Sequence, residues 1–450
     1  MPRFTDTIAA LATPVGTSAI ALTRVTGPDA ARIAQEILGE LPPPRVARHG
    51  DYRDTSGLLV DDALFTFFPQ ASSYTGEDAL EISSHGNPFI AQRILEDLFR
   101  RGCRVAEPGE FTQRAFLNGR MDLSQAEAVM DLIHARSERA LESANQQLRG
   151  SLGRRLNELI ERLLGVLARV EAYIDFPEED LPPEDREALR TAVDSLAKDT
   201  DRLLATGRYG ELLRDGIKTV IAGAPNAGKS SILNRLVGQE RAIVSAEPGT
   251  TRDFIEERIM VGPHCLRLID TAGLNPNPGA VEQLGIEKSL ERIAEANLLL
   301  LVVEAGHALP DFPAALVARI HANETIVVVN KVDLVPASLP AVFNRARSVE
   351  VSALTGTGFD RLTSEIVRIA DSFQTSDKED NIAINLRHAE ALTRAKSSLA
   401  DAREKIVTSG PVELLASDLR GTLAAYGEIV GRVDNERMLD LLFSTFCIGK

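Results

Sequence analysis

The stretch GAPNAGKS, residues 223–230, decides the fold class of the central part of the chain. It matches the pattern G-x-x-x-x-G-K-[ST], follows the apolar run KTVIAG and precedes the helix-like SSILNRLVG. In such a strand–loop–helix unit, backbone N–H groups face phosphate oxygens, Lys229 reaches the β- and γ-phosphates and Ser230 offers a hydroxyl to Mg²⁺. The alternative is a chance glycine-rich turn, which the combination of motif and context disfavours.

Three more motifs follow in order, each directly after an apolar run: DTAG at 270–273, NKVD at 330–333 and SAL at 352–354. The acid of DTAG would hold Mg²⁺ through water. The Asp333 carboxylate can accept hydrogen bonds from both N1–H and the amino group of guanine, which selects GTP over ATP. A backbone N–H of the SAL motif can reach guanine O6. With all of these motifs in this order, this part of the chain resembles the Ras-like P-loop GTPases of the translation-factor class.

The pattern around these motifs predicts an insertion. Apolar β-branched runs alternate with helix-like stretches from 217 to about 370, which is typical of a doubly wound parallel sheet. Amphipathic helical patterns lie on both sides. They predict one or two long helices after Asp122, a proline-rich interruption at 176–186, a helix over 185–206, and further helices over 386–446 with breaks near Gly410, Gly421 and Gly431.

The first 120 or so residues predict a small α+β unit. Strands are expected at 20–25, 63–68 and 79–84, and helices at 28–38 and 88–101. The predicted architecture therefore combines α/β and all-α domains, with an N-terminal α+β domain and a helical domain that the GTPase domain interrupts. We place the boundaries at 1–119, 120–213 (helical, first part), 214–373 (GTPase) and 374–450 (helical, second part).

Composition limits the class of protein. With 450 residues, 44% hydrophobic and 26% charged, the chain is typical of soluble globular proteins with several domains. A net charge of −15 argues against a broad basic surface for nucleic acid, although not against a local patch. Three scattered cysteines form no disulfide or zinc pattern, and no signal or membrane-spanning run is present, so we expect a cytoplasmic protein that does not enter the membrane.

The residues leave the hydrolytic chemistry open. Leu274 stands where Ras-like proteins often carry the glutamine that orients water. Glu282 could replace it, but from the residues alone a solvated surface acid is the favoured interpretation. Thr251 is the natural second Mg²⁺ ligand. Charge neutralisation could come from Arg252, for which a surface arginine is the more probable role, or from a monovalent cation bound with the help of the Asn226 amide oxygen.

The chain resembles, over essentially its whole length, the MnmE (TrmE) family of tRNA-modification GTPases. The residues that carry the resemblance are DTIAALATP (6–14), SYTGEDALEISSHGNP (73–88), EPGEFTQRAFLNGRMDLSQAEAV (107–129), GAPNAGKSS (223–231), EPGTTRD (247–253), DTAGL (270–274), NKVD (330–333) and the terminal CIGK (447–450). Related K⁺-dependent GTPases share the Asn-bearing phosphate loop but lack the folate-binding domain and this tail.

The resemblance implies a constitutive homodimer whose N-terminal domain binds a folate such as 5-formyl-tetrahydrofolate. It implies a K⁺- and Mg²⁺-dependent GTPase that acts with the FAD protein MnmG. The pair adds a carboxymethylaminomethyl or aminomethyl group to C5 of wobble uridine (U34) in certain tRNAs, with a one-carbon unit from the folate.

The motifs and the resemblance together assign site residues to this chain. GTP contacts fall on Asn226, Ala227, Gly228, Lys229, Ser230, Ser231, Ser245, Ala246, Glu247, Pro248, Gly249, Thr250, Thr251, Asp270, Thr271, Ala272, Gly273, Asn330, Lys331, Val332, Asp333, Ser352, Ala353 and Leu354. Mg²⁺ contacts fall on Ser230 and Thr251, and Asn226 is the cation ligand already suggested by the phosphate loop. The resemblance identifies that cation as K⁺, adds Ser245, Glu247 and Thr250 as its ligands, and alone implies folate contacts on Arg24, Glu81, Arg120 and Lys450. Arg120 departs from the lysine that the family often carries, so its contact geometry differs.

The resemblance also implies catalytic roles for Glu282 and Cys447, which overturns the surface interpretation of Glu282. Cys447 is either an inert packed thiol or a nucleophile toward uridine near the folate. Two other functions remain alternatives: a ribosome-assembly GTPase, against which the CIGK tail argues, and a folate enzyme that GTP merely regulates.

Overall fold

The computed structural model describes residues 5–175, 183–239, 256–270, 291–307, 316, 319, 322, 324–336, 343, 346–374, 382–432, 439 and 442–449. The chain divides into two compact units. The first unit consists of Met1–Met130, Leu152–Asn157 and Tyr426–Lys450, and the second of Asp131–Ser151 and Glu158–Ala425. The first unit therefore combines both ends of the chain, and the predicted GTPase motifs all lie in the second.

The strands in chain order are β1 (Ile8–Leu11), β2 (Ile20–Thr26), β3 (Arg48–Arg53), β4 (Leu59–Phe68), β5 (Ala79–His85), β6 (Arg104–Val105), β7 (Ile217–Gly223), β8 (Glu256–Val261), β9 (His264–Asp270), β10 (Leu298–Glu304), β11 (Thr325–Asn330) and β12 (Arg347–Glu350).

The α-helices are α1 (Ala30–Leu38), α2 (Pro88–Arg100), α3 (Glu110–Leu117), α4 (Leu123–His134), α5 (Glu138–Leu148), α6 (Ser151–Asp175), α7 (Pro183–Ala205), α8 (Gly207–Asp215), α9 (Lys229–Gln239), α10 (Phe359–Ser372), α11 (Leu386–Thr408) and α12 (Val412–Val430).

The first unit contains a six-stranded sheet in the order β3-β4-β5-β2-β1-β6. One face is apolar, with Val25, Phe65 and Leu80 packed against helices α1 and α2. Because side chains alternate along a strand, Arg24 and Glu81 lie on the opposite face, and the register places them side by side on β2 and β5. The predicted N-terminal α+β unit is confirmed, although β1, β3 and β6 were not expected from the sequence.

The second unit contains a six-stranded sheet in the order β12-β11-β10-β7-β9-β8. All neighbours pair in parallel except β8, which is antiparallel to β9 at the edge. The strands β10 and β11 are buried almost throughout, as expected when helices cover both faces. The predicted doubly wound sheet is thus correct in its centre and wrong at this edge. The loops after β7, β11 and β12 share the carboxyl edge with the last residue of β9, and such folds bind ligands at this edge.

The helical regions differ from the prediction in three places, of which the first is α8, a helix that was not expected after 206. Three helices, α4, α5 and α6, replace the one or two expected after Asp122. The break before α5 occurs where the Ser137 side chain accepts a hydrogen bond from the Ala140 N–H and caps the new helix. No break occurs at Gly421, which lies inside α12. A side chain there would approach the Ser398 hydroxyl of α11 to 3.2 Å, so this glycine serves helix packing instead.

A search of the described helices for a segment both long and apolar enough to span a membrane finds none.

Candidate functional site

The phosphate loop has the predicted strand–loop–helix context, because β7 ends at Gly223 and α9 begins at Lys229. Asn226 takes a left-handed conformation with φ 64° at the exposed turn of the loop. The Lys229 side chain is buried, and its ammonium donates to the carbonyl oxygens of Gly223 at 3.2 Å and Ala224 at 2.9 Å. Ser230 and Ser231 are exposed in the first turn of α9. The lysine and the two hydroxyls therefore share the N-terminal end of one helix, which attracts anions.

Asn330 joins this loop to the motif that follows β12. Its buried side chain donates from Nδ2 to the carbonyl oxygen of Ala227 at 2.9 Å, and its Oδ1 accepts from the N–H of Ala353 at 3.0 Å. Residues separated by more than a hundred positions thereby form one rigid edge. The structure brings together the first, third and fourth GTPase motifs of the sequence.

The NKVD segment turns sharply after β11. Lys331 has φ 67°, and its ammonium lies 2.8 Å from the Glu304 carboxylate at the end of β10. The N–H of Val332 donates to the carbonyl oxygen of Val351 at 3.3 Å. Asp333 is exposed at the same edge, so its carboxylate is available to a base.

The Asp270 backbone ends β9, which runs parallel to β7 with Asp270 opposite Ile221. That register puts the backbone of Asp270, the first residue of the DTAG motif, at the edge that carries the phosphate loop. The remaining predicted positions of this site lie outside the described residues: Ser245, Ala246, Glu247, Pro248, Gly249, Thr250, Thr251, Thr271, Ala272, Gly273 and Glu282.

A second polar cluster lies in the first unit, on the sheet face opposite α1 and α2. The Arg24 Nε donates to the Glu81 carboxylate at 2.8 Å, with both side chains between a quarter and a third exposed (27% and 29%). The same guanidinium contacts the carbonyl oxygen of Gly449 at 3.4 Å. The structure thus brings two of the residues assigned to folate next to the C-terminal tail.

Close backbone contacts hold residues 447–449 of the C-terminal CIGK tail. Gly449 has φ 93°, and a Cβ there would lie 2.6 Å from the carbonyl oxygen of Leu11, so only glycine fits this approach. The N–H of Gly109 donates to the carbonyl oxygen of Cys447 at 3.3 Å, and Cys447 itself is exposed. Lys450, which follows directly, lies outside the described residues.

Arg120 points to a neighbouring loop, since its guanidinium donates to the carbonyl oxygen of Ala71 at 3.3 Å. Tyr74, which no sequence motif singled out, lies near Arg24 of this cluster, and its hydroxyl is 3.0 Å from that of Thr112. Desolvation raises the pKa of the Tyr74 phenol, and the charge of nearby Arg24 opposes that rise. Tyr74 belongs to SYTGEDALE, one of the segments that carry the family resemblance, and this was the available signal.

A protein of Opitutus terrae described as "tRNA modification GTPase MnmE" is 59% identical over 452 residues, with 100% of each chain covered. The chain belongs to the MnmE family of tRNA modification GTPases. The family models agree: "GTP-binding protein TrmE N-terminus" matches residues 7–120, and "MnmE helical domain" matches residues 123–447.

More distant MnmE proteins align over the same length. The protein of Symbiobacterium thermophilum is 42% identical, with 99% of each chain covered, and that of Aquifex aeolicus is 40% identical, with 99% of this chain and 100% of its own. Among solved structures, the G domain of the FeoB iron transporter of T. maritima is 24% identical over 34% of this chain and 98% of its own, with a TM-score of 0.26.

Proposed function

We propose that this MnmE-family chain is a K⁺-dependent GTPase that, with MnmG, adds a carboxymethylaminomethyl or aminomethyl group to C5 of U34 in certain tRNAs. The GTPase activity in this proposal rests on one observation: at the carboxyl edge of the sheet, the Asn330 side chain links the phosphate loop to the loop after β12. The full-length likeness to proteins named for tRNA modification supports the rest.

GTP would bind along this edge. Lys229 and the N-terminal end of α9 provide positive charge for the phosphates, and the exposed Ser230 hydroxyl is the hard oxygen ligand that Mg²⁺ prefers. The exposed Asp333 carboxylate would accept two hydrogen bonds from guanine. These residue types fit a magnesium–nucleotide complex, and Thr251 is proposed as the second protein ligand of the metal.

K⁺ would bind beside the phosphates. Asn226 fits this role, because its left-handed turn puts a residue with an amide oxygen at the exposed tip of the loop. Ser245, Glu247 and Thr250 are the other proposed ligands. The cation would supply the positive charge that other GTPases take from an arginine finger. Glu282 would orient the attacking water, since Leu274 cannot.

A folate such as 5-formyl-tetrahydrofolate would bind at the cluster of Arg24, Glu81 and the tail. The chemistry fits, because the Glu81 carboxylate can accept from the adjacent N–H and amino groups of a pterin ring, and the Arg24 guanidinium beside it can donate to an oxygen of the same ring. Arg120 and Lys450 are further proposed contacts. When bound, the folate would supply the one-carbon unit.

Cys447 is proposed as the nucleophile toward uridine. Its exposure is the property that an attacking thiol needs, whereas an inert structural cysteine is normally buried. The proposal also includes a homodimer, a complex with MnmG and tRNA, and a cytoplasmic location. We retain the division at 1–119, 120–213, 214–373 and 374–450 as the proposed domain boundaries.

The decisive experiment is mass spectrometry of tRNA wobble nucleosides from a strain that lacks the gene. We expect the modified U34 nucleosides to disappear and to return when the wild-type gene, but not a Lys229→Ala variant, is restored. Normal nucleosides together with defective ribosome assembly would favour the alternative of an assembly GTPase. Full rescue by Lys229→Ala would favour a folate enzyme that only uses GTP for regulation.

A further inference from the structure

Arg235 joins helix α9 to the loop after β12. Its Nη1 donates to the carbonyl oxygens of Ala353 and Leu354, both at 3.1 Å, and its Nη2 donates to that of Thr355 at 3.2 Å. Three consecutive carbonyl groups are therefore held by one side chain of the helix that begins at Lys229.

The guanidinium is fixed from two sides. Its Cζ lies 5.6 Å from the centre of the Phe359 ring, within the range of a cation–π contact. On another side it lies against the backbone of Gly356, where φ is 90° and an added Cβ would come within 2.1 Å of Nη2. The planar fork of arginine suits this narrow space, and a lysine ammonium could neither stack in the same way nor reach three carbonyls.

The bonds to Arg235 determine where the N–H groups of the loop point. In a trans peptide, the N–H of one residue points opposite to the carbonyl group of the residue before it. The N–H of Leu354 therefore points away from Arg235, because the Ala353 carbonyl points toward it.

The other N–H groups of the loop are already bonded. That of Ala353 donates to Asn330, that of Thr355 to the Ser352 hydroxyl at 3.1 Å, and that of Gly356 to the Ser352 carbonyl oxygen at 2.8 Å. Among the described residues, the N–H of Leu354 has no acceptor. Leu354 also lies at the sheet edge that carries Asp333, and its side chain is exposed.

We propose that Arg235 is a positioning residue for guanine recognition, because it holds the loop so that the N–H of Leu354 donates to O6 of the base. The inference deepens the proposed GTP site and rests on it. Asp333 would recognise N1–H and the amino group, and Arg235 would act only through the loop that recognises O6.

The test compares the binding of GDP and 6-thio-GDP to the full-length protein, its Arg235→Ala variant and its Arg235→Lys variant. Sulfur accepts hydrogen bonds weakly, whereas N1–H and the amino group are the same in both nucleotides. We expect the wild type to prefer GDP by about tenfold and Arg235→Ala to lose most of this preference, chiefly through weaker GDP binding. Arg235→Lys should restore only part of it.

Arg208→Ala is the matched control, because Arg208 also stacks on a phenylalanine, with its Cζ 5.6 Å from the Phe373 ring, but has no contact with this loop. It should keep the wild-type preference. If Arg235→Ala weakens both nucleotides by the same factor, or neither, the positioning role is wrong while the GTP site stands. If the wild type binds GDP no better than ADP, the proposed function itself fails.

Discussion

At the scale of the residue, Asp333 is the carboxylate proposed to select the nucleotide. Asp333 is exposed two residues after Lys331, where the chain turns with a φ of 67°. It lies close to Asn330, whose side chain links two loops of the same sheet edge. An amide in its place would keep the size but would offer a donor where guanine also has one. The base that binds would therefore depend on whether the side chain at position 333 ends in a second oxygen or in a nitrogen atom.

We predict that Asp333→Asn loses GTP binding by on the order of a hundredfold or more and gains binding of xanthosine triphosphate, whose oxygen at position 2 accepts from the new amide. Equilibrium binding of both nucleotides checks this. Glu304→Gln, which changes a carboxylate on the other side of Lys331, is the control and should keep the preference for GTP. Unchanged GTP affinity in Asp333→Asn would show that NKVD does not contact the base.

Asn226 gives a second prediction at this scale. GTP hydrolysis by the wild type should be faster in K⁺ than in Na⁺ by on the order of tenfold or more, and Asn226→Ala should lose this difference while it still binds GTP. The reason is that the amide oxygen contributes to a site whose size suits the larger cation. Steady-state rates in the two chlorides at equal ionic strength decide the matter. Equal rates for the wild type would contradict the cation hypothesis.

At the scale of the element, α3 is held by a buried arginine. Arg114 is fully buried, and its guanidinium pairs with Glu110 at 2.8 Å, Asp6 at 2.8 Å and Glu77 at 3.1 Å. Burial raises the pKa of Glu110, but hydrogen bonds from Arg104, the Glu107 N–H and Arg114 outweigh it and hold that pKa below its ordinary value. Glu110 therefore contributes stability above the ordinary pKa of a glutamate, and that contribution is lost as pH falls through the lowered value. Burial raises the pKa of Glu77 despite the charge of Arg114, so Glu77 does not add to this contribution.

Arg114→Ala should lower the free energy of unfolding by about 3–5 kcal/mol at neutral pH, because it removes the arginine that pairs with Glu77 and one of the two arginines that pair with the buried Glu110. The difference from the wild type should narrow in acid, where these carboxylates are protonated. Denaturant unfolding at several pH values measures both effects. Arg93→Ala, on the exposed side of α2, is the control and should change stability little. A similarly small effect of Arg114→Ala would show that the network does not stabilise the unit.

Elements were predictable where local pattern dominates. The strands β2, β5 and β7 and the helices α1 and α2 lie within a few residues of their predicted positions, because apolar periodicity and turn residues are properties of adjacent residues. Short strands such as β1 and β6 have too few residues to show a period. A break was predicted at Gly421 because its packing partner, Ser398, lies on another helix and cannot be inferred from the residues next to the glycine.

At the scale of the whole molecule, the two clusters lie in different units of the chain. The tail with Cys447 belongs to the first unit. The second unit contains the phosphate loop, the NKVD segment and the loop after β12. The chemistry at the tail and the hydrolysis of GTP should therefore be separable by mutation.

We predict that Cys447→Ser abolishes tRNA modification and leaves GTP hydrolysis intact. A serine hydroxyl is close in size to a thiol but is a far weaker nucleophile at neutral pH. The assay is nucleoside analysis of tRNA after reconstitution with MnmG, a folate donor and GTP, with hydrolysis measured on the same sample. Cys265→Ser, at a buried cysteine of the second unit, controls for the loss of a thiol elsewhere. Normal modification by Cys447→Ser would mean that the thiol only packs.

The family, the inserted sheet and the GTP motifs could all be predicted from the amino-acid order, because a phosphate loop and a base-reading tetrapeptide are each built from adjacent residues. Which distant residues meet became known from the folded chain. Arg24 lies 57 positions from Glu81 and 425 from Gly449, and Arg235 lies 118 from Ala353. No local pattern encodes such pairs, since they depend on strand register and on helix packing, which form only when the chain has folded.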